Sequence, residues 1–227
     1  MDIKEEAIAA LKLSDHRIMM SYPPVPDRAS VLVPLMVKDG ELHTLMTQRS
    51  KKLRKSASAV CFPGGKRDPT DREDVDTALR EAQEEIGLPP ADVKVVSMLA
   101  PLWSEQSKLL VRPVVGFIED SFCPSPNPDE VSAVFTVPLR FFTSSQHHTA
   151  MSSGQWKGKV HSFYFEDPDS GRQYHIWGLT AFIAVHVASI ALGKKPEFDF
   201  DLNFDHPIKL HQNWMEMNRK VNTVSKL

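Results

Sequence analysis

The sequence predicts a mixed β-sheet with helices packed on it, an α/β protein of the α+β or α/β/α sandwich class. Three observations lead there. Many short runs are rich in apolar and β-branched residues, and two of them flank Asp39-Gly40, a strong hairpin signal. Few stretches carry helical periodicity, the clearest lying between Asp71 and Gly87. With 41% apolar and 25% charged residues, a chain of 227 residues has the composition of a soluble globular protein and the length for one well-buried domain.

Taken in order, residues 5–13 read as a short helix, followed by the proline-rich linker Tyr22-Pro23-Pro24-Val25-Pro26. Residues 30–37 form a buried strand and 41–49 its hairpin partner. A cationic run follows, with Arg49, Lys51, Lys52, Arg54 and Lys55, and then the turn Phe62-Pro63-Gly64-Gly65. The next helix starts with Thr70 or Asp71 as its cap; Gly87 supplies a left-handed end, and Pro89 and Pro90 prevent continuation. Val75, Ala78, Leu79, Ala82 and Ile86 line its apolar arc. Strands are expected over 93–99 and 109–118, with Pro113 marking an edge or a bulge. Residues 123–130 hold three prolines and read as a loop, and 131–139 resume extended structure. Residues 143–159 are expected to be a mobile loop with little β-structure. A second hairpin, 160–165 and 173–177, flanks Asp169-Ser170-Gly171. An apolar helix covers 180–192, and another helix is expected around 209–220. This divides the chain into an N-terminal helix and linker (1–28), one domain (29–195) and a C-terminal extension (196–227).

A net charge of −2 gives no global pull toward nucleic acid or an anionic membrane. Cys61 and Cys123 are the two cysteines, so no disulfide framework is expected, and Cys61 reads as a small buried hydrophobe. Asp2, Glu5 and Glu6 argue against a signal peptide, and the apolar stretch 179–192 is too short for a membrane span. The terminal Ser225-Lys226-Leu227 matches the peroxisomal import tripeptide, so a peroxisomal matrix location and an import receptor as partner are expected.

The chemistry concentrates on one helix. Glu81, Glu84 and Glu85 share one arc, because residues three and four apart are surface neighbours. Like charges so placed cost roughly 0.2–0.5 kcal/mol per pair. One reading is a solvated acidic face. The other is a site for a hard divalent cation, Mg²⁺ or Mn²⁺, which takes oxygen ligands. The preceding glycine turn and Arg80 beside the carboxylates favour the second. The cationic run has the same two readings, a solvated loop or a phosphate-gathering segment. Other sites are weaker: His147-His148 lies in a polar loop, and His175, His186, His206 and His211 lack metal-ligand spacing. Neither a Gly-x-Ser-x-Gly elbow nor a Walker-type Gly-Lys-Ser/Thr occurs.

Residues 65–88, ending Arg80-Glu81-Ala82-Gln83-Glu84-Glu85-Ile86-Gly87-Leu88, resemble the signature box of the Nudix hydrolases. The front of the box departs from the usual spacing. Counted back from Arg80, the usual glycine falls on Lys66 and the usual early glutamate on Arg72. One extra residue after Gly65 restores the glycine and puts Asp71 where that glutamate stands. Leu45-Met46-Thr47-Gln48-Arg49-Ser50, Arg54 and Phe62-Pro63-Gly64-Gly65 are similar to the added signature of coenzyme A-cleaving members, with Met46 for a leucine and Ser58 for a glycine. Asn127 to Val131, Val137 to Leu139 and Ile176 to Ala181 are similar to further segments of those members.

The resemblance spans roughly residues 30–195. It implies the Nudix α/β/α sandwich with a mixed sheet, and hydrolysis of coenzyme A and acyl-CoA to 3′,5′-ADP and (acyl-)4′-phosphopantetheine with Mg²⁺ or Mn²⁺. It further implies Glu81 and Glu85 as metal ligands, Glu84 as a third ligand or the general base, and Arg80 as the residue that orients them. Glu130 is the alternative base or a surface acid, and Asp71 a weaker outer candidate. Arg49 and Arg54 would contact phosphate beside Gly64 and Gly65. Alternatives are another diphosphate such as NADH or ADP-ribose as substrate, or a silent coenzyme A-binding protein.

Overall fold

The structure, a computed structural model, describes residues 2–16, 27–104, 107–152 and 159–200. The Tyr22–Pro26 linker, residues 153–158, the helix expected around 209–220 and the terminal tripeptide lie outside the described residues.

Helix α1 (Ile3–Leu13) is capped by Asp2, whose carboxylate accepts from the Lys4 N–H at 3.1 Å, and it buries Ala7, Ile8 and Leu11 at helical spacing. Strands β1 (Arg28–Lys38) and β2 (Glu41–Arg49) form the expected hairpin. Its turn places Asp39 at φ 53° and Gly40 at φ 76°, both left-handed, as the twist of a tight hairpin requires. These strands pair only between Leu35–Lys38 and Glu41–Thr44 and then splay. Two short strands fill the gap. β3 (Val60–Cys61) pairs with β2 at Thr47 and Gln48, and β4 (Gly64–Lys66) pairs with β1 at Ala29 to Val31. The Leu32 N–H donates to the Pro63 carbonyl at 2.8 Å, which fixes the turn between the splayed strands.

Helix α2 (Asp74–Ile86) follows, then β5 (Lys94–Met98), β6 (Leu102–Ser104), β7 (Leu109–Phe117) and β8 (Val131–Pro138). The larger sheet runs β3-β2-β1-β7-β5, with β4 beside β1, β6 beside β7 and β8 beside β2. Its β1–β7 pair is parallel and its other pairs antiparallel, so the sheet is mixed. A second, antiparallel sheet runs β11-β10-β9, built from β9 (His148–Ser152), β10 (Lys159–Glu166) and β11 (Gln173–Trp177), and α3 (Gly178–Ala191) follows it.

Side-chain alternation along β1 explains the layers. Leu32 and Met36 point to one face, where Ala78, Ala82 and Ile86 of α2 cover them. Val33 and Leu35 point to the other, where α1, α3 and the inner face of the smaller sheet close a larger core with Phe163, Phe165, Tyr174 and Ile176. Helix, sheet and helix thus stack as an α/β/α sandwich. Among the described residues no helix is long and apolar enough to cross a membrane.

Two expectations need correction and a third is narrowed. α2 starts at Asp74 rather than at Thr70 or Asp71: the Asp76 carboxylate accepts from the N–H groups of Arg72 (3.0 Å) and Glu73 (3.3 Å), while the Asp71 carboxylate bonds elsewhere. Pro113 is no edge residue, since β7 has β1 on one side and β5 and β6 on the other; the alternative, a bulge, fits, because the register shifts by one residue between Met98↔Val114 and Leu102↔Val111. Its missing donor falls at the break between β5 and β6, where its carbonyl still accepts from the Leu99 N–H at 3.0 Å. The expected loop over 143–159 contains β9. Its polar residues have low β-propensity, but the ladder with β10 decides, although most of the strand is exposed. His148 of that strand sets Nε2 2.9 Å from Nδ1 of His161 and stacks on Phe198, with ring centroids 3.6 Å apart. Cys61 is free and half-buried, with its Sγ 3.3 Å from the Thr47 hydroxyl.

Candidate active site

One face of α2 is core; the other carries Arg80, Glu81, Glu84 and Glu85 toward the β4 turn. The Gly64 N–H donates to Oε2 of Glu85 at 3.1 Å. Neither glycine of the turn has room for a side chain. A Cβ on Gly64 would lie 2.4 Å from the Ser30 carbonyl oxygen, and one on Gly65 would lie 2.4 Å from the Glu81 carboxylate. The two collisions differ in kind, backbone in the first and the end of a flexible side chain in the second. Gly65→Ala should therefore fold with nearly unchanged stability and displace Glu81. A misplacement of this size is expected to lower turnover about 100-fold, readable by steady-state kinetics beside thermal melting.

Arg80 ties the carboxylates into one network. Its Nε and Nη2 grip both oxygens of Asp71 at 3.1 and 3.0 Å, and its Nη1 donates to Glu81 and Glu84, each at 3.0 Å. A fifth bond, from Nη2 to the Lys66 carbonyl at 3.0 Å, fixes the guanidinium to β4. Asp71 is buried and also accepts from the Asp68 N–H (2.8 Å) and the Thr77 hydroxyl (2.9 Å). Its hydrogen bonds, Arg80's foremost, hold its carboxyl down at about 2.

Glu81 and Glu85 have the opposite environment. Burial pushes the Glu81 carboxyl up against the pull of Arg80. Burial also raises Glu85 to about 7, although the Gly64 N–H and Arg49 oppose it. The Arg49 guanidinium stands 4.0 Å from Glu85, and its buried Nε has no hydrogen-bond partner among the described residues.

The last turn of α2 brings in Glu130. The Asn127 and Ser125 N–H groups donate to the carbonyls of Glu85 and Ile86, each at 2.9 Å, so the proline-rich loop satisfies carbonyls at the helix end. The Glu130 carbonyl in turn accepts from the Ser50 N–H at 2.8 Å, and its carboxylate is close enough to push both Glu81 and Glu85 upward. Glu84 is half-exposed on the outer side of the network.

The structure thus brings together Gly64, Gly65, Arg80, Glu81, Glu84, Glu85, Arg49 and Glu130. It leaves Arg54 outside, on the exposed segment 51–58, with no hydrogen bond or ion pair among the described residues. Sequence reasoning missed the part Asp71 plays as the buried anchor of Arg80, because nothing in the spacing shows which acid the arginine grips. On the same segment Ser58, where a glycine is usual in the resembling signature, adopts φ 62°, held by its N–H to the Arg49 carbonyl (3.2 Å) and by Gln48 Nε2 to its own carbonyl (3.3 Å). A serine there carries a left-handed penalty of about 1 kcal/mol, so Ser58→Gly should stabilise the protein by about 0.5–1 kcal/mol in urea denaturation.

Among the described residues no three His, Cys, Asp or Glu side chains form a ready-made metal cage. The donor set nevertheless fits a hard divalent cation. Glu81 and Glu85 bring two carboxylate groups into partly desolvated space, and burial leaves both reluctant to ionise without a counter-charge.

The chain is similar to known proteins along most of its length. A Nudix domain matches residues 26–157. Mouse peroxisomal coenzyme A diphosphatase NUDT7 is 45% identical over 204 residues, covering 88% of this chain and 85% of its own. Nudix hydrolase 15, mitochondrial, of Arabidopsis thaliana is 39% identical over 198 residues, covering 86% of this chain and 67% of its own. The uncharacterized Nudix hydrolase NudL of Photorhabdus laumondii is 37% identical over 189 residues, covering 78% and 97%. Nudix hydrolases generally need a divalent metal. A domain match over more than half of the chain, and relatives of this identity along most of it, show that the chain belongs to the Nudix hydrolase family.

Proposed function

We propose that this Nudix hydrolase cleaves the diphosphate of coenzyme A and acyl-CoA, giving 3′,5′-ADP and (acyl-)4′-phosphopantetheine, with Mg²⁺ or Mn²⁺. The observation that carries the diphosphate chemistry is the buried, unpartnered Nε of Arg49 beside the carboxylates of α2, a cationic donor and anionic metal ligands facing one space. The likeness to the mouse coenzyme A diphosphatase supports the choice of substrate.

In this reading Glu81 and Glu85 hold the cation, with Glu84 as a third ligand or the general base, and Glu130 is the alternative base. A bound divalent ion neutralises charge on the phosphoryl oxygens and lowers the pKa of water. The protein's own residues do the rest. Arg49 and the backbone of Gly64 and Gly65 position the diphosphate, and Arg54 meets a phosphate from the exposed segment 51–58. Arg80 keeps Glu81 and Glu84 in place. Water adds its oxygen to one phosphorus, its proton passes to a carboxylate, and the bridging P–O bond breaks to leave two phosphate monoesters.

Mass spectrometry of products from CoA, acyl-CoA, NADH and ADP-ribose with Mg²⁺ or Mn²⁺ tests the proposal. Release of 3′,5′-ADP from CoA supports it; exclusive cleavage of NADH or ADP-ribose, or binding of CoA without cleavage, overturns it. The terminal Ser225-Lys226-Leu227 supports delivery to the peroxisomal matrix by the import receptor. Removing these residues is expected to leave activity intact and move a tagged protein to the cytosol, and an unchanged location in fluorescence microscopy would refute the targeting.

A further inference from the structure

A cleft of about 360 Å³ opens between segment 56–59 and strand β11, lined by Gln48, that segment, and Gln173, His175 and Trp177. Gln173, His175 and Trp177 share the outer face of β11 because strand residues two apart point the same way. Trp177 is 44% exposed and Tyr164 is 46%, unusual for side chains so large. Their rings are ordered. Tyr164 and His175, directly paired across β10 and β11, stack with centroids 4.5 Å apart and planes 4° apart. His175 and Trp177 continue the row at 6.2 Å and 18°. The Ser162 hydroxyl lies 2.5 Å from His175 Nε2 and fixes the central ring. The row of parallel rings lies on the outer face of the smaller sheet, away from the core.

β2 and β3 connect the cleft to the glycine turn. Gln48 precedes Arg49 in β2, and the Thr180 hydroxyl, just beyond β11, donates to the Val60 carbonyl of β3 at 3.2 Å. β3 in turn runs into Phe62-Pro63 and the glycine turn. We infer that this cleft seats the purine base of the substrate's nucleotide half, with Trp177 as the stacking surface and the Gln173 amide on the base edge. The inference deepens the diphosphatase reading and rests on it.

Two features favour the nucleotide half over the pantetheine or acyl half. The lining offers amides, hydroxyls and aromatic rings, whereas an acyl chain would call for aliphatic walls. The exposed cations Lys51, Arg54 and Lys55 lie in the chain just ahead of Ser56, beside the half that carries the additional phosphate. Partial desolvation also lowers the pKa of the His175 imidazole from its usual value. Stacking tolerates any planar base, and Gln173, which makes no side-chain hydrogen bond among the described residues, is free to select one.

Calorimetric titration of the full chain with 3′,5′-ADP, and separately with 4′-phosphopantetheine, tests this. Trp177→Ala is expected to weaken 3′,5′-ADP binding about tenfold and to leave 4′-phosphopantetheine unaffected, while Trp177→Phe stays within about threefold of wild type. Gln173→Leu, at an exposed position independent of the ring stack, should also weaken 3′,5′-ADP. Unchanged 3′,5′-ADP binding in both Trp177→Ala and Gln173→Leu would overturn the inference. So would a loss confined to 4′-phosphopantetheine, which would assign the cleft to the other half. AMP keeps the two readings separate. If wild type cleaved NADH and not CoA, the substrate proposal would fail, and weaker AMP binding to Trp177→Ala would still support the base cleft.

Discussion

Glu85→Gln is expected to lower CoA hydrolysis by about 10³-fold or more while leaving the fold intact, because the change is isosteric and removes only the charge of the proposed metal ligand. The stability of the metal-free protein should move the other way. The buried Glu85 carboxyl titrates near 7, above its ordinary value of 4.5. Below pH 4.5 both folded and unfolded chains carry the proton. Between 4.5 and 7 the unfolded chain releases it and the folded chain keeps it, so stability falls across that window. By pH 8 the buried charge costs about 2–3 kcal/mol. With a chelator present, Glu85→Gln should therefore be more stable than wild type at pH 8 by about 2 kcal/mol, and the gap should close by pH 4.5. Urea denaturation at both pH values, with and without Mg²⁺, measures this. Added metal should stabilise wild type and do little for the variant. Near-normal turnover of purified Glu85→Gln would remove the residue from the ligand set.

Much of this site was legible in the sequence because it depends on local periodicities. Spacings of three and four residues put Glu81, Glu84 and Glu85 on one face of α2, and Asp39-Gly40 defined the hairpin that starts the sheet. What escaped depends on distant partners. β9 exists because β10 supplies its ladder, and Pro113 sits inside the sheet because the break between β5 and β6 falls beside it. The aromatic face of β11 was visible as alternation in Gln173-Tyr174-His175-Ile176-Trp177, but only the structure sets it against segment 56–59. Glu130 was named from the resemblance as an alternative base or a surface acid, and the loop bonds that latch residues 125–127 to the end of α2 are what bring it beside Glu81 and Glu85.

Asp71 is where the departure from the family spacing has the largest structural consequence. The extra residue after Gly65 allows a side chain one methylene shorter than glutamate to reach Arg80 from a turn, with the Asp68 N–H and the Thr77 hydroxyl filling its remaining acceptor positions. Asp71→Asn keeps the shape and removes the charge opposite a half-buried guanidinium. Arg80 retains Glu81 and Glu84, so the expected loss is about 2–3 kcal/mol, below the full cost of orphaning a buried ion. Because the wild-type carboxyl is depressed to about 2 from its ordinary 3.8, its stabilisation is complete above pH 4 and is lost as pH falls toward 2. Wild type should lose about 2 kcal/mol across that interval relative to Asp71→Asn, whose stability profile should be flatter. Turnover should fall as well, through Arg80 and the carboxylates it holds. Comparing metal titrations of the two variants separates the roles. A ligand charge lost at Glu85 should abolish stabilisation by Mg²⁺, whereas Asp71→Asn, still holding Glu81 and Glu85, should keep that stabilisation at a higher metal concentration. Abolished metal stabilisation in a folded Asp71→Asn protein would instead make Asp71 a ligand.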